Sequence, residues 1–381
     1  MVKKKTSLPA ESFSVGVLCQ SCFPLEVVLF ALPNRRQPKL ILTAGSCRQR
    51  WRESAWLPAY RLSARLYRLA IRLAYSLAPK FFLMRGTTQP QIDTNKHGSR
   101  PPGTRNNHFE SVGELKHEPN LRLVVRIGTA DVRQKLTLLW LDQSSNIVKV
   151  TKLAATPLAV ELVGREAQML AALPSNVGPK LIRSTENSVT FEPVLGKSIA
   201  AKLPASPRDK LWQQIDRLLI SFSTTIPASS LPYLASLNQT KVFPASNHPA
   251  LRPLLEADAR AINWVKDLSD RLWPIVIEHG DFAPWNLLQT ENGLCAIDWE
   301  DGRLEGFPGV DLVHYIIQTG ALMHKWRAER IRTYALERLQ DAGFTVAEAT
   351  ATLKLAALRD CMATGATEQH KMQSLRQGLM K

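Results

Sequence analysis

The sequence predicts an α+β protein: a small antiparallel sheet in the middle of the chain, a larger and mainly helical second half, and a basic extension in front. Three observations predict this. From Leu121 onward, apolar runs of strand length alternate with turn residues. After residue 207 the apolar residues recur mostly at helical spacing. The charge is also uneven: residues 1–110 hold 18 Lys and Arg against 5 Asp and Glu, so 13 of the 16 net positive charges lie there.

The chain of 381 residues is long enough for two or three domains or lobes, and its 45% apolar content is ordinary for a soluble globular protein. Five scattered cysteines make no disulfide framework, which points to a reducing, cytoplasmic compartment. Cys19 and Cys22 form a Cys-x-x-Cys, but no second pair follows and Cys47 alone does not complete a zinc site. Lys3, Lys4 and Lys5 precede an apolar patch, yet Glu11, Pro24 and Glu26 interrupt it, against a signal peptide. No apolar run reaches the ~18 residues of a spanning helix.

Within the extension, Val27–Ala31 and Leu40–Thr43 read as strands. Residues 58–78 read as one helix. Arg61, Arg65, Arg68 and Arg72 fall on one face, with Leu62, Leu66, Leu69 and Leu73 as the neighbouring stripe. The leucines are expected to dock on the protein while the arginines stay at the surface. The alternative is weak, salt-sensitive contact with an anionic membrane, the chain then being peripheral there. Residues 85–110, rich in Gly, Pro, Asn and Thr, read as a linker.

Strands are expected at Leu121–Ile127, Lys135–Leu141 and Asn146–Val150, then at Val189–Phe191. The turn Gly128-Thr129-Ala130-Asp131 has a single glycine and is weak evidence for nucleotide. Lys149 lies inside an apolar strand. A helix follows Thr156-Pro157, and Glu166 falls within its apolar stripe, where a carboxylate needs a cation. Lys149 is the natural partner; Lys152, on the opposite strand face, is the fallback. Gly196-Lys197-Ser198 looks like the tail of a Walker A loop, but Phe191 breaks the motif.

The second half reads as helices at 207–226, 249–272 and 310–339, with Thr345 and Glu348 as a capping box opening another. His314 and His324 are expected to pack or face solvent. Between the helices, the apolar run Ile275–Ile277 ends at His279, and a loop containing Gly280 and Pro284 leads to Asn286. A second apolar run from Leu294 to Ile297 ends in Asp298. Phosphoryl transfer to a hydroxyl needs one carboxylate to accept or orient the proton, and oxygen ligands to hold Mg²⁺. Asp281, with Asn286 five residues on, matches the Asp-x-x-x-x-Asn of a kinase catalytic loop, and Asp298 falls where the metal-binding Asp follows.

His279-Gly280-Asp281 through Asn286, then Ile297-Asp298-Trp299-Glu300, then Gly306 to Leu312, resembles the aminoglycoside phosphotransferase and choline kinase family. Those are small-molecule kinases with a bilobal protein-kinase-like fold. Behind the extension at 1–84 and the linker at 85–110 that charge and composition give, the resemblance implies a nucleotide-binding lobe at 111–195 and a catalytic and substrate lobe at 196–381. It implies ATP and Mg²⁺ as cofactors and transfer of the γ-phosphoryl to a small-molecule hydroxyl, on a sugar, aminoglycoside, choline or amino alcohol. Asp281 would be the base or orienting group, with His279 bracing its loop. Asn286 and Asp298 would bind Mg²⁺, and Lys149, held by Glu166, would contact the phosphates. The backbone of Glu192 and Val194 would form the adenine hinge. The rival readings are a non-catalytic nucleotide-binding or interaction module and, ranked last, a nucleic-acid binder, since no binding motif accompanies the basic excess.

Overall fold

A computed structural model describes residues 29–32, 39–43, 46–56, 62–79, 83–84, 118, 120–129, 131–199, 202–206, 209–219, 221–230, 268, 271–364 and 370–380. The chain divides into two compact units. One contains the described residues up to Ala167 together with Leu181–Pro193, and the other Gln168–Lys180 and Val194 onward.

The first unit is an eight-stranded antiparallel sheet. It opens with β1 (Leu29–Leu32) and β2 (Leu40–Thr43), then helices α1 (Cys47–Glu53) and α2 (Leu62–Leu77), and β3 (Leu83–Met84). There follow β4 (Arg122–Ile127), β5 (Lys135–Leu141), β6 (Ile147–Ala154), helix α3 (Pro157–Ala172), β7 (Leu181–Ser184) and β8 (Ser188–Phe191). Strand order is β3-β1-β2-β4-β5-β6-β8-β7. The basic extension therefore does not stand apart from the sheet. Strand β2 pairs with β4 in the register Leu40↔Arg126, and Leu32, Leu40, Leu42 and Tyr75 share one core with Val124, Leu139 and Leu141. The proposed linker at 85–110 lies outside the described residues.

Helix α1 opens on a reciprocal cap, in which Ser46 Oγ accepts from Gln49 N–H and Gln49 Oε1 accepts from Ser46 N–H. At its other end Glu53, 1% exposed, pairs with Arg122 of β4 at 2.6 Å and accepts from Ser145 Oγ. Burial raises the Glu53 pKa despite these partners.

Helix α2 reverses the expected orientation. Arg68 donates to Ala55 O and Arg72 to Trp51 O, with the Arg72 guanidinium 4.1 Å from the centre of the Trp51 ring. Leu66, Leu69, Leu73 and Leu77 are exposed, at 62, 44, 48 and 78%. The cause is the end of α1 and the 3₁₀ turn after it, whose carbonyls lack helical partners. Guanidinium donors on long apolar stems satisfy them and leucines do not.

The second unit holds β9 (Lys197–Ser198), α4 (Lys210–Leu218), β10 (Ser221–Pro227), β11 (Leu272–Glu278), β12 (Leu287–Thr290), β13 (Gly293–Ala296) and β14 (Arg303–Gly306). Helices α5 (Val310–Gln318), α6 (Ala328–Asp341), α7 (Val346–Thr364) and α8 (His370–Met380) complete it. Two small sheets, β10-β11-β14 and β13-β12-β9, carry the loops of interest. The helix expected over 207–226 stops at Leu218. Thr224, Thr225 and Ile226 are β-branched, and they form an edge strand on β11 instead. The helix expected at 249–272 lies outside the described residues, apart from Leu268 and the start of β11. The helical run at 310–339 is two helices separated by a π-turn at Thr319–Met323. The Thr345–Glu348 capping box forms as expected, with Thr345 N–H on Glu348 Oε2 at 2.8 Å.

Candidate active site

Strand β11 delivers the loop. His279 is buried, and its backbone N–H donates to Asp311 Oδ2 at 2.5 Å. Gly280 N–H donates to the other oxygen of Asp311 at 3.1 Å. Gly280 has φ +85°, and a Cβ there would lie 2.3 Å from Asp301 O, so only glycine fits this turn. The His279 ring braces the loop. Its Nε2 donates to Ile297 O at 2.9 Å, Nδ1 accepts from Asp281 N–H at 3.3 Å, and the ring packs 4.5 Å from that of Trp299. These partners suit the neutral ring with its proton on Nε2.

Asp281 is half-exposed and both its oxygens are held. Asn286 Nδ2 donates to Oδ2 at 2.9 Å, and His314 Nε2 lies 3.1 Å from Oδ1. Burial pushes the Asp281 carboxyl up, but the His314 hydrogen bond and charge outweigh it and hold the pKa below its ordinary value. Asp281 is thus an anion at neutral pH.

Asn286 and Asp298 are brought together by the backbone. Ile297 N–H donates to Asn286 O at 2.9 Å, so the residue before Asp298 is tied to Asn286 itself. The Nδ2 of Asn286 serves Asp281, which leaves Oδ1 as the atom that could face a cation. Asp298 holds φ +72°, a conformation rare outside glycine and one that persists where surroundings enforce it. Amide and carboxylate oxygens are the donors a hard divalent cation takes.

Behind the loop lies a buried ionic network. Arg359 Nη1 reaches Glu278 at 2.6 Å and Asp311 at 3.4 Å, while its Nη2 reaches Asp360 at 3.0 Å. Asp360 in turn contacts His314 Nδ1 at 2.8 Å, and its pKa is held below the usual carboxylate range by His314 and Arg359 despite burial. Three of these residues escape sequence reading. Glu278, Arg359 and Asp360 belong to no motif, and apart from the neighbouring pair Arg359–Asp360 their contacts with one another, Asp311 and His314 span tens of residues. His314 packs, as expected, but it packs on the Asp281 carboxylate. Its three-residue spacing from Asp311 on one helix was the available signal. His324 stacks on Trp326, and its Nε2 accepts from Leu203 N–H at 3.3 Å.

A model of the phosphotransferase enzyme family matches residues 140–355, more than half of the chain. The chain belongs to that family. It is a phosphotransferase, and its strands and helices make the α+β class that its motifs imply. A search of curated proteins found no match. Among solved structures, this family member is similar to aminoglycoside phosphotransferase APH(4)-Ia, at 12% identity and TM-score 0.44, covering 67% of this chain and 91% of that one. It is also similar to macrolide 2'-phosphotransferase type I, at 13% and 0.42, covering 69% and 93%. The ethanolamine kinase of Plasmodium vivax follows at 12% and 0.40, covering 68% and 81%.

In the first unit of this phosphotransferase, the expected pair of Lys149 with Glu166 is replaced. Lys152 Nζ lies 2.6 and 2.8 Å from the two oxygens of Glu166, which is fully buried. Lys149 pairs with Glu118 and lies 4.6 Å over the Trp140 ring. The reason is the length of β6. The strand runs to Ala154, beyond the Val150 expected from sequence, so Lys152 is also inside it. Alternation then separates the two lysines, and helix α3 meets the Lys152 face. The turn between β4 and β5 is tight at Gly128, where a Cβ would lie 2.7 Å from Lys135 O. Glu192 and Val194 flank Pro193, the last residue of the first unit.

Proposed function

We propose that this phosphotransferase moves the γ-phosphoryl of ATP to a hydroxyl of a small molecule, of sugar, aminoglycoside, choline or amino-alcohol type. The observation that carries the reading is Asp281, an anionic, half-exposed carboxylate held at both oxygens beside Asn286. Such a group accepts a hydrogen bond from the acceptor hydroxyl, orients its lone pair and takes its proton as the new P–O bond forms and the bond from the γ-phosphorus to the leaving ADP breaks. Mg²⁺, when bound with the nucleotide, neutralises phosphate charge. Asn286 Oδ1 and the Asp298 carboxylate are the donor set that would hold it. Lys152, fixed by Glu166, takes the phosphate-contacting role that the resemblance assigns to the strand lysine, in place of Lys149. The backbone of Glu192 and Val194 would bind adenine. Phosphorus NMR on the full chain with ATP, Mg²⁺ and pooled hydroxyl metabolites tests this. A new phosphate ester is the expected result. Nucleotide binding without any ester over the whole pool would support the non-catalytic alternative.

A second observation bears on partners. The exposed leucines of α2, on a segment with surplus positive charge, support weak contact with an anionic membrane. Among the described residues, no helix is long and apolar enough to cross one. Sedimentation with anionic vesicles, abolished by raising the salt, is expected. Equal binding to neutral vesicles would exclude it.

A further inference from the structure

His314 stands between two carboxylates. Nδ1 lies 2.8 and 2.9 Å from the oxygens of Asp360, and Nε2 lies 3.1 Å from Asp281 Oδ1. An ionised carboxylate only accepts, so each ring nitrogen must donate. A neutral imidazole carries one N–H and would turn a lone pair toward one of the two anions. The doubly protonated ring satisfies both, and with 5% of the side chain exposed water is no substitute partner.

The surroundings are arranged for that cation. Facing it are Asp281 from the loop and Asp360 and Arg359 from α7, with Arg376 of α8 reaching Asp360 at 3.6 Å. Burial works against the imidazolium and Arg359 opposes it. The Asp360 charge and the hydrogen bonds to Asp281 and Asp360 prevail, and the His314 pKa rises to about 9.

Helix α5 thus presents two groups to the loop from positions three apart. Asp311 fixes the main chain through the N–H groups of His279 and Gly280, and His314 fixes the reacting side chain. We propose that His314 is a positioning residue for phosphoryl transfer: seated on Asp360 as an imidazolium, it holds Asp281 Oδ1 while Asn286 holds Oδ2, so that the carboxylate meets the acceptor hydroxyl in one orientation. This rests on the role given to Asp281 above. Loss of a proton leaves the remaining one on Nδ1, toward the closer and buried Asp360. Nε2 then turns a lone pair on Asp281, which repels it, and turnover falls on the alkaline side.

The test compares H314N with H314Q in the full chain. A glutamine amide reaches the level of Nε2 and can donate to Asp281. An asparagine amide reaches only the level of Nδ1 and serves Asp360. H314N is expected to lower kcat by roughly ten- to a hundredfold, the scale of a misplaced reacting group, with KM for ATP and acceptor within about twofold. H314Q is expected to recover most of that loss and to flatten the alkaline limb of the pH profile. A folded H314N with kcat within about threefold of the parent overturns the proposal, as does equal impairment of both variants. Since altering a buried ion can unfold a chain, a second measurement uses the unaltered protein. Nitrogen NMR of the His314 ring should show both nitrogens protonated at neutral pH, with one proton leaving near pH 9. A neutral ring at neutral pH overturns the proposal. This readout needs no turnover, so failure to find an acceptor would count against the proposed function while the state of His314 is still decided.

Discussion

Around the loop from His279 to Asn286, Glu278, Asp311, His314, Arg359 and Asp360 are buried and paired with one another, whereas on α2 the charges of Arg68 and Arg72 turn inward and four leucines face solvent. Both regions place charge where polarity alone would not. In the loop region the charges pair with other side chains, drawn from β11, α5 and α7, and Asp311 also takes the N–H groups of His279 and Gly280. On α2 they are main-chain carbonyls at the end of α1. A charge withdrawn from solvent is located by its hydrogen-bond partners in each case, and most of those partners are distant in sequence.

The largest effect should come from removing the cation that the loop network shares. Arg359→Met leaves Glu278, Asp311 and Asp360 buried without it, and a loss of about 3–5 kcal/mol in unfolding free energy is expected. Urea denaturation measures it, and a loss below about 1 kcal/mol would mean that packing, not charge, holds the loop. The same network predicts a pH dependence. His314 has its pKa raised to about 9, so its contribution is fully present below its unfolded value near 6.5, declines between the two, and is gone above about 9. Asp360 has the opposite sign, with stability present above its unfolded value and lost as acid protonates it. Stability should therefore fall toward both extremes, the alkaline fall disappearing in a His314 variant.

Next in size is the chemistry. Asp281→Asn should lower turnover at least roughly a hundredfold, about 2.7 kcal/mol, while nucleotide binding changes little. Unchanged turnover would remove Asp281 from the proposed reaction. Asp298→Asn should instead abolish the Mg²⁺ dependence of nucleotide binding, read by titration calorimetry with and without the ion.

The two lysines of β6 sharpen the comparison, since they differ only in which face they occupy. Lys152→Met strands Glu166 in the interior, so it is best made together with Glu166→Gln, which removes the orphaned charge. That pair of changes should weaken ATP binding about tenfold, and Lys149→Met by no more than about twofold, because Lys149 sits on Glu118 and Trp140. The reverse ranking would restore the assignment made from sequence.

That reversal marks where legibility ended. His279, Asp281, Asn286 and Asp298 were readable because a loop and a hairpin place them by local spacing, and spacing is written in the sequence. β2 and β5 were readable to the residue, since each is an apolar run closed by turns. The partner of Glu166 was not. It depended on how far β6 continues past Val150, and a β-strand can run through Thr151 and Lys152 without any break in pattern. The Asp360 partner of His314 was unreadable for the same reason as Arg359, since a contact between α5 and α7 leaves no mark on either.

The smallest effects belong to α2, and they decide which of its stripes is structural. A helix with adjacent leucine and arginine stripes states that it has two faces, but not which one meets the protein. Here Arg72 donates through Nε and Nη2 to Trp51 O and stacks on the Trp51 ring, while Leu73 beside it is 48% exposed. Arg72→Ala should lower stability by about 1 kcal/mol, the scale of a partly exposed charge-assisted hydrogen bond together with its ring contact. Leu73→Gln should change it by less than about 0.5 kcal/mol, as surface substitutions do. Were the leucines docked instead, truncating one to alanine would cost about 2–5 kcal/mol and the arginine change almost nothing. Chemical denaturation of the two single variants separates these outcomes, and a Leu73 variant less stable than the Arg72 variant would reverse the helix.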